Sequence, residues 1–147
     1  MSDEKLVEIE ISKAEFPAFA AALEPAKAAS LTQAFNTASA ELAQKDSRNA
    51  FIRYFDLEAG FGEAQVDGFN DAWLSVDKKG VSIAMYEGEF KALADAAKPL
   101  ADAFATAASE LARKEARNPV LNYFDLYSNY SAAPVAPFKS ATLTVSK

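Results

Sequence analysis

The stretch AWLSVDKKGVSIAMY, residues 72–86, decides the fold because it joins two similar halves of the chain. Apolar residues alternate with others on both sides of Asp77-Lys78-Lys79-Gly80, and such alternation is typical of strands with one buried face. Two alternating runs around a short turn that contains glycine predict a β-hairpin. The hairpin leaves no flexible linker between the halves.

An internal repeat extends through most of the chain. The strings NAFIRYFDL (49–57) and NPVLNYFDL (118–126) lie 69 positions apart, and at that offset residues 34–58 match residues 103–127 at 14 of 25 positions. The similarity continues at the same offset to the end of each half, and at an offset of 74 to its beginning. The sequence therefore predicts a duplication.

The predicted copies are residues 1–78 and 79–147. A unit of about 70 residues makes a marginal core by itself, so the two copies are expected to share one core. We therefore predict a single domain, 1–147, made of two repeats around an approximate two-fold axis.

Each copy is predicted to begin and end with a strand that has one buried face. Between these strands, Ser12 and Glu15 have the spacing of a capping box that opens a short helix, and Glu24-Pro25 separates this helix from a longer one. The predicted inward residues of the strands are Val7, Ile9, Ile11, Leu74 and Val76 in the first copy and Val81, Ile83, Met85, Leu143 and Val145 in the second. The apolar stripe of the longer helix is Leu31, Phe35, Ala38 and Leu42, repeated as Leu100, Phe104, Ala107 and Leu111.

The segments 51–57 and 120–126, which contain YFDL, allow two interpretations. Their aromatic and β-branched residues favour a strand, and a short helix is the alternative because short apolar runs have no decisive period. The stretches that follow are rich in Gly, Pro and Ala and predict loops, which carry Phe61 and Phe69 in the first copy and Tyr130 and Phe138 in the second.

The fold class predicted from this order of elements is α+β. A duplicated β-α-α-β-β unit gives a mixed or antiparallel sheet of four to six strands with helices packed on one face. If the YFDL segments are helical, each unit becomes β-α-α-α-β, and two such units give βαβ-βαβ, the ferredoxin-like order of elements. That likeness concerns the order of elements only.

The composition excludes several kinds of site. The chain has no cysteine and no histidine, so thiolate catalysis, disulfides, histidine-based triads and the usual zinc sites are absent. No glycine pattern for phosphate binding is present, and no cofactor is expected. The first residues are acidic, unlike a secretory signal, and no run is long enough to span a membrane, which predicts a cytoplasmic protein. The formal net charge is −6.

The candidate binding residues surround the YFDL segments and the loops after them. An arginine beside aromatic rings can bind a carboxylate or a phosphate, and Arg48 with Asp56 recurs as Arg117 with Asp125. The recurrence equally fits a structural role, which we favour because a duplicated unit repeats what its core needs. The candidates are Arg48, Arg53, Tyr54, Phe61, Arg117, Tyr123, Tyr127 and Tyr130.

The open face of the predicted sheet is a second candidate surface. Glu8 and Glu10 share this face at about 7 Å by strand geometry, but without a third acidic ligand they are interpreted as a solvated pair. Trp73 and Tyr86 are its large residues if they point outward. The other predicted members are Ser75, Ser82, Ala84, Thr142 and Thr144.

The function expected from these observations is that of a non-catalytic binding or assembly protein that contacts another protein or itself, as a homodimer. Binding of single-stranded nucleic acid such as DNA, by the helix-end Arg and Lys residues with the tyrosines, is the alternative. A small-molecule pocket between the two copies is a third hypothesis.

Overall fold

The computed structural model describes residues 5–47, 60–69, 71–78, 80–95, 97–116, 130–136 and 138–146. Both YFDL segments lie outside these ranges. Whether 51–57 and 120–126 are strands or short helices therefore stays a prediction.

The described residues form six strands and four helices, which confirms the predicted α+β class. In chain order the elements are β1 (Leu6–Ile11), α1 (Phe16–Ala21), α2 (Pro25–Asp46), β2 (Phe61–Gln65), β3 (Trp73–Asp77), β4 (Val81–Tyr86), α3 (Glu87–Ala94), α4 (Lys98–Glu115), β5 (Tyr130–Pro134) and β6 (Thr142–Ser146).

The six strands form one antiparallel sheet in the order β2-β3-β4-β1-β6-β5. Its two central strands, β1 and β4, pair along their whole length from Leu6 opposite Tyr86 to Ile11 opposite Val81. The strand order is the same for the two halves of the chain. When β1 is exchanged with β4, β2 with β5 and β3 with β6, the result is the same order read from the opposite edge. The predicted hairpin is confirmed, because β3 pairs with β4 and the Asp77 N–H donates to the Gly80 carbonyl at 3.0 Å.

The helices pack on one face of the sheet, as predicted. All ten strand residues expected to point inward are at most 3 % exposed and belong to one cluster with the buried residues of the helices. The stripes of α2 and α4 also face this cluster, with Phe35 and Phe104 only partly buried. The period of two along the strands and the helical period along α2 and α4 therefore give the correct buried faces.

The prediction of loops at residues 61–65 and 130–134 is wrong, since these residues form β2 and β5. Their Gly, Ala and Pro content has low strand propensity, and at Gly62 a small residue is needed because α2 lies close to β2. A Cβ atom on Gly62 would lie 2.2 Å from the Ala38 carbonyl oxygen and 2.9 Å from the Leu42 nitrogen, both in the α2 backbone. Gly62 thus reflects the close approach of α2 to β2.

Candidate functional site

The structure describes two of the eight predicted binding residues. Phe61 begins β2 and Tyr130 begins β5, at opposite ends of the strand order. Five strand spacings of about 4.8 Å put these strands roughly 24 Å apart, so the two residues do not share one site. The other candidates lie outside the described residues: Arg48, Arg53, Tyr54, Arg117, Tyr123 and Tyr127.

Phe61 and Tyr130 each contact a lysine from the last turns of the preceding long helix. Lys45 Nζ donates to the Phe61 carbonyl at 2.9 Å and lies 5.3 Å from the centre of its ring. Lys114 Nζ donates to the Tyr130 carbonyl at 2.9 Å and lies 5.8 Å from its ring. Both lysine side chains are 15 % exposed and pair with a glutamate of their own helix. These two lysines therefore join a helix to a strand, and little of their charge faces solvent.

The face of the sheet opposite the helices, here called the outward face, is the largest candidate surface in the described residues. Half of its eighteen side chains are exposed to solvent, and the other half are half-buried. Its members are Leu6, Glu8, Glu10, Phe61, Glu63, Gln65, Trp73, Ser75, Asp77, Ser82, Ala84, Tyr86, Tyr130, Ala132, Pro134, Thr142, Thr144 and Ser146.

One end of the outward face is apolar and aromatic. Trp73 is 43 % exposed and pairs with Ala84, and Tyr86, which is 40 % exposed, lies two residues further along β4 on the same side. Leu6 is directly opposite Tyr86 on β1. Diagonal neighbours on adjacent strands are about 7–8 Å apart, so these four side chains form a continuous patch, called the aromatic end below.

The rest of the outward face is acidic. Glu8 and Glu10 on β1 and Glu63 on β2 point outward, and none of these three carboxylates pairs with a described basic residue. Asp77 on β3 also points outward, and its Oδ1 accepts the Gly80 N–H at 2.8 Å. The eighteen members include four carboxylates and neither lysine nor arginine, so the outward face has a negative potential.

A polar depression of about 240 Å³ lies at the end of this face opposite to the aromatic end. Its polar side chains are Glu10, Ser12, Asp77, Ser82 and Ser140. In the described parts of the chain, no three acidic side chains come together in a metal-binding arrangement. The pair Glu8 and Glu10 is thus confirmed as outward and is not joined by a third described acidic ligand.

The capping box predicted at the start of α1 is only half formed. The Glu15 N–H donates to Ser12 Oγ at 3.3 Å, but the Glu15 carboxylate binds the loop before β6 and not the Ser12 N–H. It accepts the Ser140 hydroxyl, the Ser140 N–H at 2.7 Å and the Lys139 N–H at 3.1 Å. The Ser12 N–H donates instead to Ser140 Oγ at 3.0 Å. These bonds, led by the Ser140 hydroxyl, lower the pKa of Glu15 below its ordinary value.

A similar contact joins the other two segments. Glu89, 74 positions after Glu15, accepts the Asp71 N–H at 2.9 Å, and Asp71 lies 69 positions before Ser140. In both places, a glutamate near the start of a helix in one half holds the loop before the last strand of the other half. Only the helix cap is indicated by local spacing, because the loop partners lie 125 and 18 residues away.

Comparison of the chain with models of protein families, with curated protein sequences and with solved structures finds no match. None of the helices in the described residues is long and apolar enough to cross a membrane.

The outward residues of β2 and β5 are the part of the outward face that the sequence does not predict, since the sequence predicts loops for both segments. Their buried positions hold Gly62, Ala64, Ser131 and Ala133, which are too small or polar to produce the apolar alternation typical of a strand.

Proposed function

We propose that the protein is a non-catalytic binding protein that contacts another protein through the outward face of its sheet. The observation that carries this proposal is the aromatic end, where Trp73 and Tyr86 are large, exposed and adjacent. Aromatic residues are enriched at the centres of protein interfaces, where they contribute much of the binding energy. A surface cluster of this kind on an otherwise polar sheet supports a contact surface.

The difference between the two ends of the outward face supports a partner that is itself asymmetric. Positions of the aromatic end correspond, at offsets of 69 and 74, to Thr142, Glu10 and Ser12 at the other end. The side chains of one end are therefore apolar where those of the other are polar. A single partner that lies across the face therefore contacts an apolar surface at one end and a polar surface at the other.

The same proposal includes a duplicated origin for the scaffold, with an approximate two-fold axis between β1 and β4 and one shared core in a single domain. The matching sequence positions support it, as do the paired contacts of Lys45 with Lys114 and of Glu15 with Glu89. An antiparallel sheet whose order is unchanged when the halves are exchanged is also what such an origin produces.

Binding of single-stranded nucleic acid stays a prediction for the surface around the YFDL segments. The outward face disfavours it, because four carboxylates without a basic residue repel phosphates. Lys45 and Lys114 are also occupied by a carbonyl and a carboxylate each. A protein partner therefore fits the described surface better than a nucleic acid.

Site-specific photo-crosslinking in cells that express the full chain tests the proposal. A photoreactive phenylalanine analogue replaces Thr144, at the middle of the outward face, and in a matched control replaces Ala40, which is exposed on α2. We expect an adduct with a defined protein from position 144 that disappears when Trp73→Ala is added. Adducts from position 40 without any from position 144 would place binding elsewhere and refute the proposal.

A further inference from the structure

We infer that the partner of the outward face is a basic, extended polypeptide segment that also carries an apolar or aromatic side chain. This inference rests on the proposed function and adds the chemistry of the partner. Charge complementarity with the acidic face supports the basic character of the segment. The position of the aromatic end beside the carboxylates supports the apolar or aromatic side chain.

Glu8, Glu10 and Glu63 of the outward face form no ion pair with a described basic residue, whereas four acids of the helices do. All of the ion pairs between described residues join positions i and i+4 on helices. Glu8 is flanked across the sheet by Ala84 and Thr144, and Glu10 by Ser82 and Thr142. These neighbours carry no charge, so a cationic partner gains the full attraction of both glutamates.

The aromatic end requires more than a simple cation. Trp73, Ala84 and Glu8 lie in one row on β3, β4 and β1, so about 9.6 Å separates the strands of the indole and of the carboxylate. An extended polypeptide places side chains about 6.6 Å apart on one side. It can therefore put an apolar group or a cation against Trp73 and a lysine or arginine beside Glu8, and cations also bind aromatic faces.

A second copy of the chain fits this face poorly. Two outward faces packed together would bring six unpaired carboxylates, Glu8, Glu10 and Glu63 from each copy, into one interface. The face measures about 29 Å by 17 Å from strand spacing and rise, roughly 500 Å² in projection. An extended peptide of about ten residues is long enough to cross a face of this width.

Fluorescence anisotropy with the full chain tests this inference. The probe is a labelled peptide of about 10 residues, long enough to cross the sheet, with alternating lysine and serine and one central tryptophan. A second peptide has glutamate in place of every lysine. We expect binding of the basic peptide only, weakened at least fivefold between about 50 and 300 mM salt.

Two matched double variants locate the binding. Glu8→Gln with Glu10→Gln removes two charges from the outward face, and Asp46→Asn with Asp95→Asn removes two exposed charges from helix ends. We expect about fivefold weaker binding and less salt dependence for the first pair, and less than about twofold change for the second. Trp73→Ala should weaken binding about tenfold. Circular dichroism checks that each variant is folded.

Equal binding of both peptides, or equal effects of the two double variants, would overturn the inference. So would a concentration-dependent dimer in sedimentation that is lost in Trp73→Ala, since the face would then bind a second copy. If position 144 still forms an adduct with a neutral or acidic protein, only the partner chemistry is wrong. If position 144 forms no adduct while position 40 does, the proposed function itself fails.

Discussion

The two halves of the chain have mostly identical residues on the inward face of the sheet and different residues on its outward face. Seven pairs of inward strand residues lie 69 or 74 positions apart, and five of the seven are identical. Eight pairs of outward strand residues are related in the same way, and none of the eight is identical. Glu8 corresponds to Ser82 and Trp73 to Thr142, whereas Ile9 corresponds to Ile83.

This difference shows that the outward residues of the sheet can change while the inward residues that pack the core stay the same. Inward residues must fill the space between sheet and helices, so similar geometry in the two halves requires similar residues. Outward residues meet solvent, and the sheet does not restrict them in the same way. The outward differences are therefore where a specific contact is best sought, and the substitutions below test how far the halves are equivalent.

The largest effect is expected when a matched aromatic pair of the core is truncated. Phe16 on α1 and Phe90 on α3 lie 74 positions apart and are each 1 % exposed. Phe16→Ala and Phe90→Ala should each lower the free energy of unfolding by about 4 kcal/mol, because each leaves a cavity. Urea denaturation measures both values. If the losses in free energy of unfolding for the two variants differ by more than about 2 kcal/mol, the two halves of the core are not equivalent.

A matched pair on β2 and β5 should give effects of opposite sign. Gly62→Ala should destabilise by about 3 kcal/mol, because the new Cβ would collide with the α2 backbone at Ala38. Ser131, 69 positions later, is 2 % exposed, and its hydroxyl has no hydrogen-bond partner among the residues that the structure describes. Ser131→Ala should stabilise by about 1 kcal/mol, because an unpaired buried hydroxyl is removed.

Urea denaturation of both variants beside the wild type measures this contrast. Destabilisation by Ser131→Ala would contradict the prediction. It would mean that the Ser131 hydroxyl stabilises the folded protein by a hydrogen bond or by filling space.

A pH-dependent effect is expected at the Glu15 contact. Since the pKa of Glu15 is lowered in the folded state, its contribution to stability is present above the ordinary glutamate pKa, about 4.3. The contribution is lost as the pH falls through the lower folded-state pKa. Glu15→Gln should therefore destabilise the protein at pH 7, and the difference from wild type should shrink near pH 3.

Urea midpoints at the two pH values check this prediction, with Glu63→Gln as the control. Glu63 is exposed on the outward face and its carboxylate pairs with no described basic residue. A deficit of Glu15→Gln that is unchanged at low pH would show that the lost contact does not depend on the charge of Glu15.

The smallest effect on stability is expected for exchanges on the outward face. Trp73→Thr and Thr142→Trp each place on one half the residue found at the corresponding position of the other. Both positions are exposed, so each change should alter the free energy of unfolding by less than about 1 kcal/mol. A larger loss for Trp73→Thr in thermal or urea denaturation would mean that the indole contributes to folding, which would weaken its assignment as a contact residue.

Much of the fold could be predicted from local patterns. Alternation identified the buried faces of β1, β3, β4 and β6, and the proline at position 25 marks the first residue of α2. The strands β2 and β5 could not be predicted because their buried positions hold small residues, and at Gly62 the α2 backbone leaves no room for a larger one. The antiparallel pairing of β1 with both β4 and β6 also depends on contacts distant in sequence.

The candidate site was only partly predictable. The sequence indicated Trp73, Tyr86 and the glutamate pair as outward residues, and the structure places them on one face. It did not indicate that Phe61 and Tyr130 lie at opposite ends of the sheet, since their segments were expected to be loops. Nor could the spacing of Ser12 and Glu15 reveal Ser140, a partner 125 residues away from Glu15.

The sequence by itself determined which residues are buried along β1, β3, β4 and β6 and along the two long helices, because periodicity is a local consequence of backbone geometry. It also determined that the face left outside would be acidic around β1, since the residues between the buried ones are glutamates. The tertiary structure decided which strands are neighbours and therefore that Trp73, Tyr86 and Leu6 meet. Those neighbours are selected by packing of the whole core, which involves residues far apart in the chain.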